Sequence, residues 1–163
     1  MICNQPILLK DDAATQHAGA ALASFLQPGD CVLLHGDLGA GKTTFVRGLL
    51  TGHAVAMHLP ACDVPSPTFT LVQIYPFGDL TFYHYDLYRL NDDDNERDLV
   101  EIGFEESLND GIVLVEWPQR LGGLTPPDAL HVTLEPTSDD RRTVTLSGNV
   151  TWNKRLETFS VSS

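Results

Sequence analysis

Two stretches of this chain, Cys31–His35 and residues 112–115, carry apolar side chains one after another with almost no polar alternation. Runs of that kind suit strands covered on both faces, the usual state at the centre of a parallel sheet. On either side of the first run the spacing turns helical. Ala14, Ala18, Ala21, Leu22, Phe25 and Leu26 share one face of a helix that Asp11 or Asp12 would cap, and Pro28-Gly29-Asp30 then reads as a turn. Beyond the run, Phe45, Val46, Leu49 and Leu50 form the inward stripe of a second helix beginning near Lys42 and Thr43, with Gly52 as its expected stop. A short strand over 6–10 precedes the first helix.

From Gly52 to Pro67 the periodicity is lost. Pro60, Pro65 and Pro67 exclude a regular helix, so a long exposed loop is expected. Strands over 69–75 and 80–86 follow, joined as a hairpin through Pro76-Phe77-Gly78-Asp79. Helices are predicted over 95–102 and 105–108, a late antiparallel pair of strands over 130–135 and 141–146, and a last helix over 152–159. Strands alternating with helices predict an α/β fold: a mostly parallel central sheet flanked by helices, with an antiparallel hairpin portion. No internal repeat or low-complexity linker divides the chain, so one domain over 1–163 is expected.

At 163 residues and 42% apolar composition, the chain can bury a core without a disulfide or metal staple. Its apolar runs are far too short to cross a bilayer, and residues 1–6 lack the basic head and apolar stretch of a signal peptide. Cys3, Cys31 and Cys62 are odd in number and widely spaced, which suits free thiols in a reducing compartment; a cytoplasmic location is expected. His58 and Cys62 have no CxxC or HxxxH beside them, so a zinc site is not expected there.

The formal net charge is -12. Residues 91–110 hold Asp92, Asp93, Asp94, Glu96, Asp98, Glu101, Glu105, Glu106 and Asp110 against Arg97 alone, and no Lys or Arg occurs between Arg47 and Arg89. A protein that gripped a nucleic-acid backbone unaided would need a basic stripe, and this chain has none. The acidic block reads either as a solvated helix face or as a docking surface for a basic partner.

Gly36-Asp37-Leu38-Gly39-Ala40-Gly41-Lys42-Thr43 matches G-x-x-x-x-G-K-[ST] in full, between a buried strand and an amphipathic helix. Its glycines let the backbone wrap an anion, and the helix opening at Lys42 adds its N-terminal field at the same point. Lys42 can then reach the β- and γ-phosphates of a nucleotide and the Thr43 hydroxyl can ligate Mg²⁺. A P-loop needs acids besides. Glu116 closes the strand over 112–115 and Asp86 the strand over 80–86, the ends at which open α/β sheets present ligands. Either can complete a Mg²⁺ shell, one can orient the attacking water, and each can also be a plain cap of the turn that follows. Asp86 is expected to report mainly on Mg²⁺, and Glu116 to hold the metal's water or the attacking one. His84 is expected to fill the sheet, while Trp117 packs against or lines the nucleotide pocket and Pro118 opens a short helix. Ser66-Pro67-Thr68 suits a switch that orders around a γ-phosphate, or equally a turn before a strand.

Four co-linear motifs carry a resemblance to a known family: the P-loop extended through Thr44-Phe45, Ser66-Pro67-Thr68-Phe69-Thr70-Leu71-Val72, His84-Tyr85-Asp86-Leu87-Tyr88-Arg89-Leu90, and Leu114-Val115-Glu116-Trp117-Pro118. In order and spacing they resemble the TsaE family, the P-loop ATPase of bacterial tRNA threonylcarbamoyladenosine biosynthesis. The resemblance spans roughly residues 11–120 and is only an outline beyond Pro126. It implies that Lys42 and Thr43 bind phosphates and Mg²⁺, that Thr44 flanks the nucleotide, that Asp86 is the metal-associated acid and that Glu116 is the acid of the second nucleotide motif. It places Thr68 in a mobile switch and Trp117 near the nucleotide. It further implies a cytoplasmic Mg²⁺-dependent ATPase, monomeric when isolated and slow alone. Such a protein works with TsaB- and TsaD-like partners and meets tRNA only through the complex.

Three rival readings remain. A small GTPase would need D-x-x-G, which is missing, and Asn153-Lys154-Arg155-Leu156 lacks the closing Asp of N-K-x-D. A small-molecule kinase usually carries a basic lid, yet no positive charge lies between Arg97 and Arg120. A non-catalytic scaffold with ATP as conformational ligand would share the same binding site without turnover.

Overall fold

The two apolar runs lie side by side in the middle of one sheet. A computed structural model describes residues 4–60, 64, 70–90 and 95–162. Among those residues the strands are β1 (Ile7–Leu9), β2 (Cys31–His35), β3 (Val72–Phe77), β4 (Leu80–Asp86), β5 (Ile112–Glu116), β6 (Leu130–Pro136) and β7 (Arg142–Ser147). They form a seven-stranded sheet in the order β1-β7-β6-β2-β5-β4-β3. β2 runs parallel to both β5 and β6, and β4 runs parallel to β5, so the four central strands share one direction. β7, antiparallel to β6, and β1, antiparallel to β7, extend one side, and β3, antiparallel to β4, closes the other. The late pair, β6 and β7, is antiparallel as expected, and its first strand also joins the parallel core.

Helices α1 (Asp12–Ala23) and α2 (Lys42–Ala56) cover one face, where Leu22, Phe45, Leu49 and Leu50 meet Val32, Leu34, Leu114 and Val132. Helices α3 (Asn95–Glu101) and α4 (Phe104–Asp110) and a 3₁₀ helix over Pro118–Leu124 cover the other. There Leu99, Phe104 and Leu121 meet Leu33, Val113 and Val115. Both faces of β2 and β5 are therefore dry, which is why their sequences do not alternate. α5 (Val150–Arg155) is the last helix among the described residues, and Trp152 brings it into the first core. No helix among the described residues is long and apolar enough to cross a membrane.

Several boundaries differ from the sequence-based expectation, each for a physical reason. Gly52 does not stop α2, which runs on to Ala56. A β-carbon on Gly48 would strike the Gln16 backbone, and one on Gly52 would lie 2.7 Å from the Ala20 Cα. These glycines let α1 and α2 touch backbone to backbone, so the loop begins later than the loss of periodicity suggests. Pro76 belongs to β3 rather than to the turn. It is tolerated because β3 is the sheet's edge, and a two-residue turn at Gly78-Asp79 suffices, with Gly78 at φ 63. α1 ends at Ala23, yet Phe25 and Leu26 still pack on the core. The last helix begins at Val150 rather than 152, because Asn149 caps it by accepting from the Trp152 amide at 3.1 Å. Ser66, Pro67, Thr68 and Phe69 lie outside the described residues.

Candidate functional site

Period two along β4 and β5 decides which acids can meet α2. Phe82 on β4 and Ile112 and Leu114 on β5 belong to the core under α1 and α2, whereas Tyr85, Val113 and Val115 belong to the opposite one. The same alternation turns His84, Asp86 and Glu116 toward α2. Asp86 and Glu116 are register partners on adjacent parallel strands, and Glu116 also pairs in register with Leu34 of β2. The two carboxylates thus stand side by side at the C-terminal ends of central strands, 5% and 3% exposed.

Residues 36–41 carry the chain from β2 to α2. Gly41 holds the N-cap position at φ 104, and no side chain caps the helix. A side chain at that φ would be strained, and it would also collide with the Arg142 guanidinium lying against Gly41. Lys42, nearly buried, donates Nζ to the Gly36 and Asp37 carbonyls and sits 3.8 Å over the Trp117 ring. Burial lowers its pKa, and the carboxylates of Glu116, Asp86 and Asp37 oppose that shift. The Thr43 hydroxyl, on the first turn of α2, meets both Glu116 carboxylate oxygens, at 2.9 and 3.0 Å. His84 Nε2 lies 2.6 Å from Glu116 Oε2.

The rest of the wall is built by the turns after β4 and β5. Asp86 Oδ1 accepts from the Tyr88 amide at 3.1 Å, which bends the chain so that the Tyr88 ring lies tilted against Trp117, centroids 4.9 Å apart. Trp117 adopts a left-handed backbone, φ 59 and ψ 53, before Pro118 opens the 3₁₀ helix. Opposite them Arg142 pairs with Asp12 at 3.0 Å and donates to Thr15 Oγ1 at 3.3 Å.

These groups enclose a cleft of about 450 Å³. Of the residues singled out from sequence, Asp37, Leu38, Gly39, Ala40, Gly41, Lys42, Thr43, Thr44, Asp86, Glu116 and Trp117 line it together, and Arg89 joins them. Gly36 stands at its foot, its carbonyl accepting from Lys42. Thr68 lies outside the described residues. Asp12, Tyr88 and Arg142 also line the cleft and were not anticipated. Asp11 takes the capping role on α1, accepting from the Ala14 amide at 2.7 Å, and so leaves Asp12 to Arg142. His84 does fill the sheet as expected, fully buried, but it also touches the acid.

Comparison with known proteins gives a consistent picture. The family model "Threonylcarbamoyl adenosine biosynthesis protein TsaE" matches residues 9–144. A protein of Rickettsia felis named tRNA threonylcarbamoyladenosine biosynthesis protein TsaE is 35% identical over 156 residues, 96% of this chain and 87% of the relative. The protein of the same name from Bacillus subtilis is 36% identical over 77% of this chain and 73% of its own length. Among solved structures, YdiB of Bacillus subtilis superposes with a TM-score of 0.75 at 28% identity, covering 97% of this chain and 95% of that one.

Proposed function

The chain belongs to the TsaE family, and from that premise we propose that its cleft binds ATP with Mg²⁺ and hydrolyses it in support of threonylcarbamoyl transfer to adenosine 37 of tRNA. TsaB- and TsaD-like proteins would be its partners in the cytoplasm. The observation that carries this reading is the contact of Thr43 with both oxygens of Glu116, directly in front of an α-helix whose N-terminus no side chain caps. An uncapped helix start, a glycine at positive φ and a lysine at the same point suit a polyphosphate.

The donor set also fits Mg²⁺ rather than a softer metal. The Thr43 hydroxyl and the two buried carboxylates of Asp86 and Glu116 stand together at the strand ends of the cleft, and no group of three or more His, Cys, Asp or Glu that could hold a metal occurs among the described residues. Mg²⁺ is ordinarily held by one or two carboxylates together with the substrate's phosphates. When bound, it supplies charge neutralisation at the phosphate oxygens. Thr43 and Glu116 would hold it. Lys42 would move from the loop carbonyls to the β- and γ-phosphates, a point charge stronger for being nearly buried. Asp86, turned by the Tyr88 amide, stands beside Glu116 to orient the attacking water. This division exchanges the roles expected from sequence for Asp86 and Glu116, and puts Glu116 on the metal side because Thr43 already touches it.

Partner dependence draws support from the sequence, which offers no basic stripe for tRNA. Arg89, which lines this cleft and lies next to the acids in sequence, is the candidate to be tested for stabilising the transition state in cis. Phosphate release should be slow for the purified chain and rise on adding the partner proteins and tRNA. Release that stays negligible in the full mixture, with ATP binding intact, would make ATP a conformational ligand instead.

A further inference from the structure

Within the first core, where α2 and the sheet bury almost only aliphatic and aromatic side chains, β4 places one imidazole. His84 is fully buried, and its register partner on β5 is Leu114. It sits one pleat deeper than Asp86 and reaches diagonally across β5 to the Glu116 carboxylate, Nε2 to Oε2 2.6 Å. Diagonal neighbours on one sheet face are within reach of a long side chain. Its other ring nitrogen, Nδ1, is buried without a hydrogen-bond partner among the described residues.

We infer that His84 is a positioning residue: its Nε2–H holds Glu116 Oε2 from below so that the carboxylate presents itself to Thr43 and to the metal side of the cleft. A glutamate side chain has three rotatable bonds, and a single contact leaves it free to swing. Here Thr43 fixes it from α2 and His84 from β4, so the carboxylate is pinned from two elements. A residue that merely filled this space would be better apolar, since burying an imidazole is costly unless it is hydrogen-bonded. The Nε2 bond to an acid supplies that compensation and leaves Nδ1 as the bare acceptor. Partners behind ligating groups commonly set the orientation and affinity of a metal site.

This inference rests on the reading of Glu116 as the acid of an Mg²⁺–ATP site, and its test separates the two. ATP binding is measured by calorimetry in EDTA and across a MgCl₂ series for the wild type, His84→Phe and His84→Gln. The Phe ring keeps the volume and loses the donor; the Gln amide can restore one. His84→Phe should bind ATP in EDTA within about threefold of wild type while needing about tenfold more Mg²⁺ for half-maximal enhancement, the lower end of what loss of such a partner costs. His84→Gln should recover most of the difference. An unchanged Mg²⁺ requirement in His84→Phe, or an equal loss with and without Mg²⁺, overturns the positioning role and leaves the ATP site standing. A wild type whose ATP affinity ignores Mg²⁺ overturns both. Should the variants fail to fold, ¹⁵N NMR of the wild-type imidazole decides: the Nε2–H tautomer is expected, and the Nδ1–H tautomer overturns the assignment.

Discussion

Trp117 keeps a left-handed backbone between the buried Glu116 and a proline. For a bulky residue such a conformation costs on the order of 1–3 kcal/mol. The ring's contacts with Lys42 and Tyr88 offset part of it. Replacing Trp117 with Ala removes the ring and keeps the strain, whereas Gly removes both. Thermal melts should therefore place Trp117→Gly at or above Trp117→Ala, although glycine is normally the less stabilising residue; a clearly lower Gly variant contradicts the strain. The two acids should separate in their response to Mg²⁺. Glu116→Gln should raise the Mg²⁺ needed for half-maximal ATP binding. Asp86→Asn should keep Mg²⁺–ATP affinity within about tenfold, about 1.4 kcal/mol, yet lose most partner-stimulated hydrolysis, since an amide is a poor proton acceptor. The reverse pattern across a Mg²⁺ series would exchange their roles. Lys42, Thr43, Asp86 and Glu116 were legible in the sequence because each stands at the end of a strand or the start of a helix, where the fold class itself puts ligands. Arg142 and Asp12 were not, because they meet across elements 130 positions apart in the chain, and no local spacing records that.

Among the elements, α1 and α2 show how far pattern alone carries. The inward stripe of α2 was readable, but its length was not. Glycine read as a stop is here a contact surface, and only the presence of α1 distinguishes the two. Gly48→Ala tests this. Helix propensity favours Ala by about 1 kcal/mol, but the new methyl would lie under 3.0 Å from the Gln16 backbone. Overpacking against backbone typically costs about 1–3 kcal/mol or more, so the variant should melt lower than wild type. A higher melting temperature would mean the helices are less tightly joined. Farther along α2, His53 packs near Phe77 and Phe82 with its Nε2 buried, and burial lowers its pKa below the usual 6.5. As pH falls through 6.5 the unfolded chain takes up a proton that the folded one refuses. This stability is therefore present above that pH and lost as pH falls toward the folded pKa. His53→Phe should flatten the decline in melting temperature between about pH 7 and pH 5; an unaltered slope would assign the decline elsewhere.

The whole molecule is an acidic chain whose P-loop cleft lies at the C-terminal ends of central strands. Arg155 is tied to Asp30 at 2.5 Å and lies over the Trp152 ring, and Arg142 is tied to Asp12, so part of the scarce positive charge is already paired with acids of this chain. Labelled tRNA should accordingly bind the isolated chain weakly, and micromolar or tighter binding at physiological salt would contradict the view that partners carry the tRNA. At this scale the parallel core followed from the alternation of strands and helices, while the order of the strands, the edge position of β3 and its proline depended on packing that no local window contains. The central claim is that the cleft before α2 is a nucleotide site. It is tested most directly by titrating ATP into wild type and Lys42→Ala in a calorimeter, with Mg²⁺ and in EDTA. Saturable, Mg²⁺-enhanced binding by wild type and its loss in a folded Lys42→Ala variant are predicted; equal ATP affinity in both would contradict it.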